Sequence, residues 1–346
     1  MSGKKDSNGV NSGRRKVIKT FGATTFGSAL GFSHSVRATK PKVITITGDW
    51  NSPLTREEIR SVRQRAAKAA GIENPRAKTA NPDFGDSTLV GYAYYVDRDG
   101  RSRQVRTIAG DNESTTDMMN RVKHESQNLD GKFIKQKDAS TSSTSIGTDS
   151  KSWTVIQQDT AIHKVKPYGE LKNSHDWYEL EGNSYDNYVP FAVHHDHKSK
   201  PGHLIWDDSN YYNYRAYPKH DWSPGNAEHI TDYGPQGSID TTDGSSFTKT
   251  IDLTVDGVTV SEDDSIGPGE KITDESDADQ AYARWKNTYY NDARRERQVF
   301  QPGSAVLVPE QSSGTSDKVA ELECIHRYID NNIYPLEHTY DLVYNF

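Results

Sequence analysis

The sequence predicts two folded parts: a small α+β module over residues 41–137, then an all-β module over 153–346. Three observations predict this. In the first part the apolar period switches between two and about 3.6 residues, the mark of strands alternating with helices. Beyond residue 153 the long runs alternate with period two. Between them lies "KDASTSSTSIGTDSKS", a Ser/Thr-rich polar stretch read as a linker over 138–152.

The elements of the first part follow in order. "KVITITG" (42–48) is rich in β-branched residues and reads as a strand. In "LTREEIRSVRQRAAKAAG", Thr55 and Glu58 form a capping box. Ile59, Val62, Ala66 and Ala69/Ala70 make an apolar stripe, and Gly71 is a stop. A hairpin follows, with Val90, Tyr92, Tyr94 and Val96 alternating on one face and Asp99-Gly100 as its turn. A second helix places Met118, Val122 and Leu129 along one side, and "KFIKQ" (132–136) is the last strand. The order βαββαβ is that of a ferredoxin-like domain. That fold serves many unrelated functions and assigns none.

In the second part, Phe247, Ile251, Leu253 and Val255 alternate, Asp256-Gly257 turns, and Val258 and Val260 resume. A two-residue turn pairs 255 with 258 and 253 with 260, so the apolar side chains share one face and Asp252, Thr254 and Thr259 share the other. Leu322, Cys324, His326 and Tyr328 alternate in the same way, as do Leu336, His338, Tyr340, Leu342, Tyr344 and Phe346. One-sided strands with a polar back point to an antiparallel β-sandwich.

The chain has 346 residues, 32% of them hydrophobic, with a mean hydropathy of −0.89. Residues 1–38 hold seven Lys/Arg against the single acid Asp6, which leaves 35 basic and 48 acidic residues in 39–346, a net of −13. So acidic a body excludes the basic footprint of a nucleic-acid binder and suits an exported protein, including one adapted to high salt. Cys324 is the only cysteine, so neither an intramolecular disulfide nor a cysteine-rich zinc module can form.

Arg14-Arg15, followed by Lys16-Val17-Ile18-Lys19, a weakly apolar stretch from Thr20 to Phe32, and small residues ending at Ala38, resembles a twin-arginine export signal. Gly13, Val17 and Ile18 depart from its usual core. The resemblance implies a secreted protein cleaved after Ala38, in contact with the membrane only during export. It also implies passage in the folded state, a route used by proteins that carry a cofactor, by cofactor-free ones, and notably in salt-loving archaea.

"VPFAVHHDHKSKPGH" (189–203) is the strongest chemical signal. On a strand, His195 and His197 point with Phe191 and Val193 towards the core, and His194 and Asp196 point away. Two imidazoles at i and i+2 can share a Zn²⁺, with His203 or His220 as a third ligand and Asp176, Asp207, Asp208 or Asp221 orienting a ring. His194, Asp196 and His197 are similar to the last three named positions of a metallo-β-lactamase motif, but Ala192 stands at its first. Trp177, Trp206, Tyr211, Tyr212 and Trp222 are candidate ligand-stacking aromatics. No catalytic residue is assigned. Ser246-Phe247-Thr248-Lys249 lies in a strand rather than at a helix start, and the turn at Asp97–Gly100 accounts for what resembles a calcium loop.

The expected function is non-enzymatic, an extracellular module that binds a protein or carbohydrate. The alternatives are a zinc-dependent hydrolase built on the histidines of 194–203, and a secreted inhibitor or toxin-like protein.

Overall fold

A computed structural model describes residues 18–20, 43–49, 52–72, 77–78, 88–109, 114–127, 129, 151–183, 185–311 and 316–345. The strand expected at 132–136, the linker up to residue 150, and Arg14, Arg15 and Ala38 lie outside them. The order is β1 Ile18–Thr20, β2 Ile44–Thr47, α1 Arg56–Ala70, β3 Ala77–Lys78, β4 Thr88–Val96, β5 Ser102–Ala109 and α2 Thr115–Ser126. Then come β6 Ser152–Val165, β7 Gly169–Glu181, β8 Tyr188–Pro201, β9 Tyr212–Asp221, β10 Ile230–Gly234, β11 Ser238–Asp240, β12 Phe247–Val255 and β13 Val258–Ile266. The remainder is β14 Glu270–Asp274, β15 Tyr282–Tyr289, β16 Gln298–Phe300, β17 Gly303–Pro309, β18 Ser316–Ile329 and β19 Ile333–Asn345.

Local chemistry sets the ends of both helices. Thr55 and Glu58 close the expected capping box on α1, and Gly71 ends it at φ 76°. Ser114 caps α2 by accepting from the Asp117 N–H. The two helices then cover opposite faces of β4. Ile59, Val62, Ala66 and Ala67 pack with Tyr92, Tyr94 and Val96, whereas Val122 packs with Ala93 and Val105.

This differs from a ferredoxin-like arrangement, in which the first strand lies beside the third and both helices share a face. Here β2 pairs antiparallel with β4, and β4 with β5, in simple succession. Val90 also leaves its expected face. A register shift between Leu89 and Gly91 turns it towards Met118 and Ala109.

The sheet then continues through the expected boundary, because β5 pairs in parallel with β6. A parallel neighbour needs a long crossover, and α2 lies within it. The resulting ten-stranded sheet runs β1-β2-β4-β5-β6-β7-β8-β17-β10, with β16 also on β8. A second sheet of seven strands runs β11-β14-β15-β9-β18-β19-β3. The chain is thus β-rich, with several largely antiparallel sheets.

The two sheets face each other across a core of Trp177, Phe191, Val193, Trp222, Trp285, Phe300, Leu322 and Leu342. One face of the ten-stranded sheet therefore meets α1 and the second sheet. Its other face meets α2, through the Lys172–Glu125 pair at 2.9 Å, and the separate hairpin β12–β13. Trp177 and Trp222 are fully buried in the core, so they are not available for stacking on a ligand.

Candidate functional site

Midway along the facing sheets the core becomes polar. The alternation of β8 turns His195 and His197 inwards, as expected, and β7 supplies Asn173 and His175 beside them. From the opposite sheet come His220 of β9, Cys324 and His326 of β18, and His338 and Tyr340 of β19. All are at most 4% exposed. Burial pushes His197 and His220 down to about 3 and holds His175, His195, His326 and His338 well below the usual imidazole range. At neutral pH these rings are neutral, the form that ligates metals.

Three potential ligand atoms converge: one nitrogen each from His195 and His197, and Cys324 Sγ, all within 4.8 Å of one another. Asn173 Oδ1 sits among them, 3.1 Å from His195 Nε2, 2.8 Å from His197 Nδ1 and 3.1 Å from Cys324 Sγ. The outward nitrogens of both histidines meet further imidazoles. His197 Nε2 lies 2.9 Å from His326 Nδ1, and His195 Nδ1 lies 3.5 Å from His220 Nε2. His220 thus stands behind His195 and is not a third ligand.

His203 stands apart, near Tyr211 and Tyr212 at the end of the sheets, with Nδ1 3.2 Å from the Tyr211 carbonyl. None of the expected orienting carboxylates reaches the cluster. Asp176 accepts from Gln158, Asp208 pairs with Lys166, Asp221 with Lys219, and Asp207 is exposed. Asn173, His175, Cys324, His326, His338 and Tyr340 are the members of the cluster that sequence reasoning did not assign. The alternation of β18 and β19 marked four of them as inward-facing, but not what they would face.

A second feature lies at the end of the sheets where β6 finishes and β7 begins. Tyr168 stacks on Tyr334 at 3.5 Å between ring centroids and meets Tyr211 edge-on at 4.7 Å. Trp206 and Tyr212 lie half-buried alongside, and Leu204 and Ile333 are 43% and 50% exposed. Of the five expected stacking aromatics, this end gathers Trp206, Tyr211 and Tyr212.

The third feature is the hairpin β12–β13, whose strands, among the described residues, pair only with each other. Its register is the one expected, Val255 opposite Val258 and Leu253 opposite Val260. Ile251, Leu253, Val255 and Val258 are buried on Trp153, Val155, Tyr178, Leu180, Ala192 and Ala305 of the ten-stranded sheet. The other face is a row of Thr, Ser and Asp bonded across the strands: Thr254 to Thr259 at 2.8 Å, Ser261 to Asp252 at 2.6 Å, Thr250 to Asp263 at 2.9 Å.

Polar ties to the body include Trp153 Nε1 donating to the Val258 carbonyl, the Thr254 N–H donating to Asp232, and the Lys151–Asp256 pair. The turn therefore lies near the start of β6. The open end lies towards β16 and the aromatic end, where Asp264 is fully buried. Burial pushes Asp264 up to about 7, against the Gln301 N–H and Lys249 and with Glu270 and Asp196 adding to it. Among the described residues no helix is long and apolar enough to cross a membrane.

No family model matches the chain, and no curated protein matches it. Among solved structures it is similar to the Clostridium perfringens delta-toxin, at TM-score 0.35 and 9% identity over 55% of this chain and 83% of that one. It is also similar to a pore forming protein, at TM-score 0.32 and 11% identity over 56% and 89%. TM-scores this low do not equate the folds.

Proposed function

We propose that this is an exported, toxin-like protein that acts on membranes by inserting the hairpin β12–β13. The carrying observation is the hairpin itself: two nine-residue strands that, among the described residues, share no ladder with any other strand, with one face mainly apolar towards the turn and the other polar. Nine residues extend about 30 Å, and a membrane-spanning strand needs about nine to eleven. A barrel strand alternates between lipid and a wet lumen, which is the division this hairpin carries. Leaving the body breaks side-chain packing and a few polar ties, not a sheet.

A lone hairpin in hydrocarbon would leave its outer backbone groups unpaired, so insertion requires several copies closing into a barrel. The lipid-facing row also contains Lys249, Glu262 and Asp264. Mild acid neutralises Asp264 and lowers the cost of carrying it into the bilayer. The aromatic end supports the same reading, since Tyr and Trp beside exposed Leu204 and Ile333 suit the membrane–water interface. The reading differs from the expectation of only transient membrane contact. It also leaves aside a hydrolase at His195 and His197, whose full burial gives no water-accessible position.

The test uses phosphatidylcholine vesicles loaded with a self-quenching dye, at pH 5 and pH 7.5. The full chain and a chain starting at residue 39 each carry a polarity-sensitive fluorophore through Val260→Cys or Thr259→Cys. Expected are dye release, a blue shift at position 260, and little change at 259. The absence of both release and a blue shift at both pH values refutes the proposal.

A further inference from the structure

We propose that His195 Nε2, His197 Nδ1 and Cys324 Sγ form a closed site for a copper(I) ion, with Asn173 Oδ1 beside them as a weak fourth donor. This is independent of the membrane-insertion reading.

Proton bookkeeping carries the argument. Asn213 Nδ2 donates to the Glu296 carbonyl, so Asn213 Oδ1 is the atom that faces His326 Nε2, at 3.1 Å. His326 must then carry its proton on Nε2, which makes its Nδ1 an acceptor. His197 Nε2, 2.9 Å away, supplies the proton. A neutral imidazole has one N–H, so His197 Nδ1 is a bare lone pair aimed into the cluster.

Its neighbours there are Asn173 Oδ1 at 2.8 Å and Cys324 Sγ at 2.9 Å. The Asn173 oxygen points inwards because its Nδ2 donates to His338 Nδ1, 3.0 Å away. Two acceptors facing each other at 2.8 Å repel, whichever of the neighbouring thiol and His195 Nε2 protons each of them takes. A cation bound by the lone pairs removes the conflict.

The surroundings are those of a metal ligand set. Each histidine is backed on its other nitrogen by a second imidazole. The His220 behind His195 ends on Ser304 Oγ at 2.9 Å, as the His326 behind His197 ends on Asn213. His175, its ring centroid 4.3 Å from that of His195, has both ring nitrogens unpaired in a fully buried position.

Charge selects the ion. The donors include one thiolate and no carboxylate, so a divalent ion would leave an uncompensated positive charge in the core, which is costly. Copper(I) with one thiolate is neutral, and thiolate and imidazole are donors it favours. Loading releases the thiol proton to solvent. With every ligand buried, the site is structural rather than catalytic.

The full chain, purified without a tag or chelator, is loaded with copper(I) under anaerobic conditions. Metal content, X-ray absorption and thermal melting are compared with those of Cys324→Ser. About one copper per chain, with one sulfur and two nitrogens in its shell, and a fall in melting temperature on adding a copper(I) chelator are expected. Cys324→Ser should lose all three. If that variant does not fold, the sulfur scatterer in the parent still decides, since Cys324 is the only cysteine. Copper without sulfur in its shell, or none retained after loading, overturns the site. Zinc held in preference overturns the charge argument.

Discussion

Asp264→Asn tests whether the hairpin lies on the body as described. The Asp264 carboxyl is fully buried beneath β13, and burial raises it from an ordinary value of 3.8 to about 7. A carboxyl raised in the folded state contributes stability that is full below its unfolded value and is lost as pH rises through its folded one. Here the window runs from about pH 4 to pH 7. A shift of about three units corresponds to about 4 kcal/mol, a ceiling to which asparagine is indifferent because it does not ionise. Part of that loss has occurred by pH 5, so the stability advantage of Asp264→Asn over the parent should grow by about 2–3 kcal/mol between pH 5 and pH 8. Titrating groups that do not interact with Asp264 are common to both proteins and cancel in the difference, which leaves Asp264 and its neighbours Glu270, Asp196 and Lys249. Urea unfolding followed by tryptophan fluorescence measures it. A difference that stays constant with pH would mean that Asp264 is hydrated and the hairpin is not seated on the sheet.

Other expectations are simpler. Trp177→Ala or Trp222→Ala should each cost about 3–5 kcal/mol in urea unfolding, because both side chains are fully buried. Leu204→Ser and Ile333→Ser, both on exposed positions, should leave stability within about 0.5 kcal/mol while weakening vesicle binding several-fold in a flotation assay. The Arg106–Asp159 ion pair is 1% exposed on each side. Removing one partner with Asp159→Ala should cost about 3–5 kcal/mol, whereas Arg106→Met with Asp159→Leu together should recover most of that loss. Thr55→Ala should lower stability by about 1 kcal/mol by opening the capping box on α1.

What could be read from the sequence was what neighbouring residues decide between themselves. The register of β12–β13 follows from a two-residue turn and a period of two, and it is the register found. Thr55, Glu58 and Gly71 bound α1 because capping is local chemistry. The pairing of β2 with β4 rather than β5, and of β5 with β6, depends on which strands meet in space. Helix and strand order does not carry that information. Val90 changed faces through one irregular step at 89–91 that no alternation count reveals. The histidine cluster was half legible. His195 and His197 face inwards by parity alone, but Cys324 is 127 residues from His197, and Asn173 bears no metal-binding signature in sequence.

Parity along β8 also explains how two demanding features share one strand. Ala192 and His194 face outwards, where Ala192 packs with the hairpin and His194 Nδ1 lies 3.7 Å from Glu262. His195 and His197 face inwards to Asn173 and Cys324. A strand that must release a hairpin from one face keeps its place in the sheet only if its other face is held independently. On the inner side β8 is tied by side chains to β7, β9 and β18 through His195, His197 and their partners. Lifting the hairpin therefore exposes Trp153, Val155 and Tyr178 without loosening the ladder beneath them. A polar cluster in a core that apolar residues could have filled at lower desolvation cost has a reason in that arrangement: it fixes the strand on which the movable element rests.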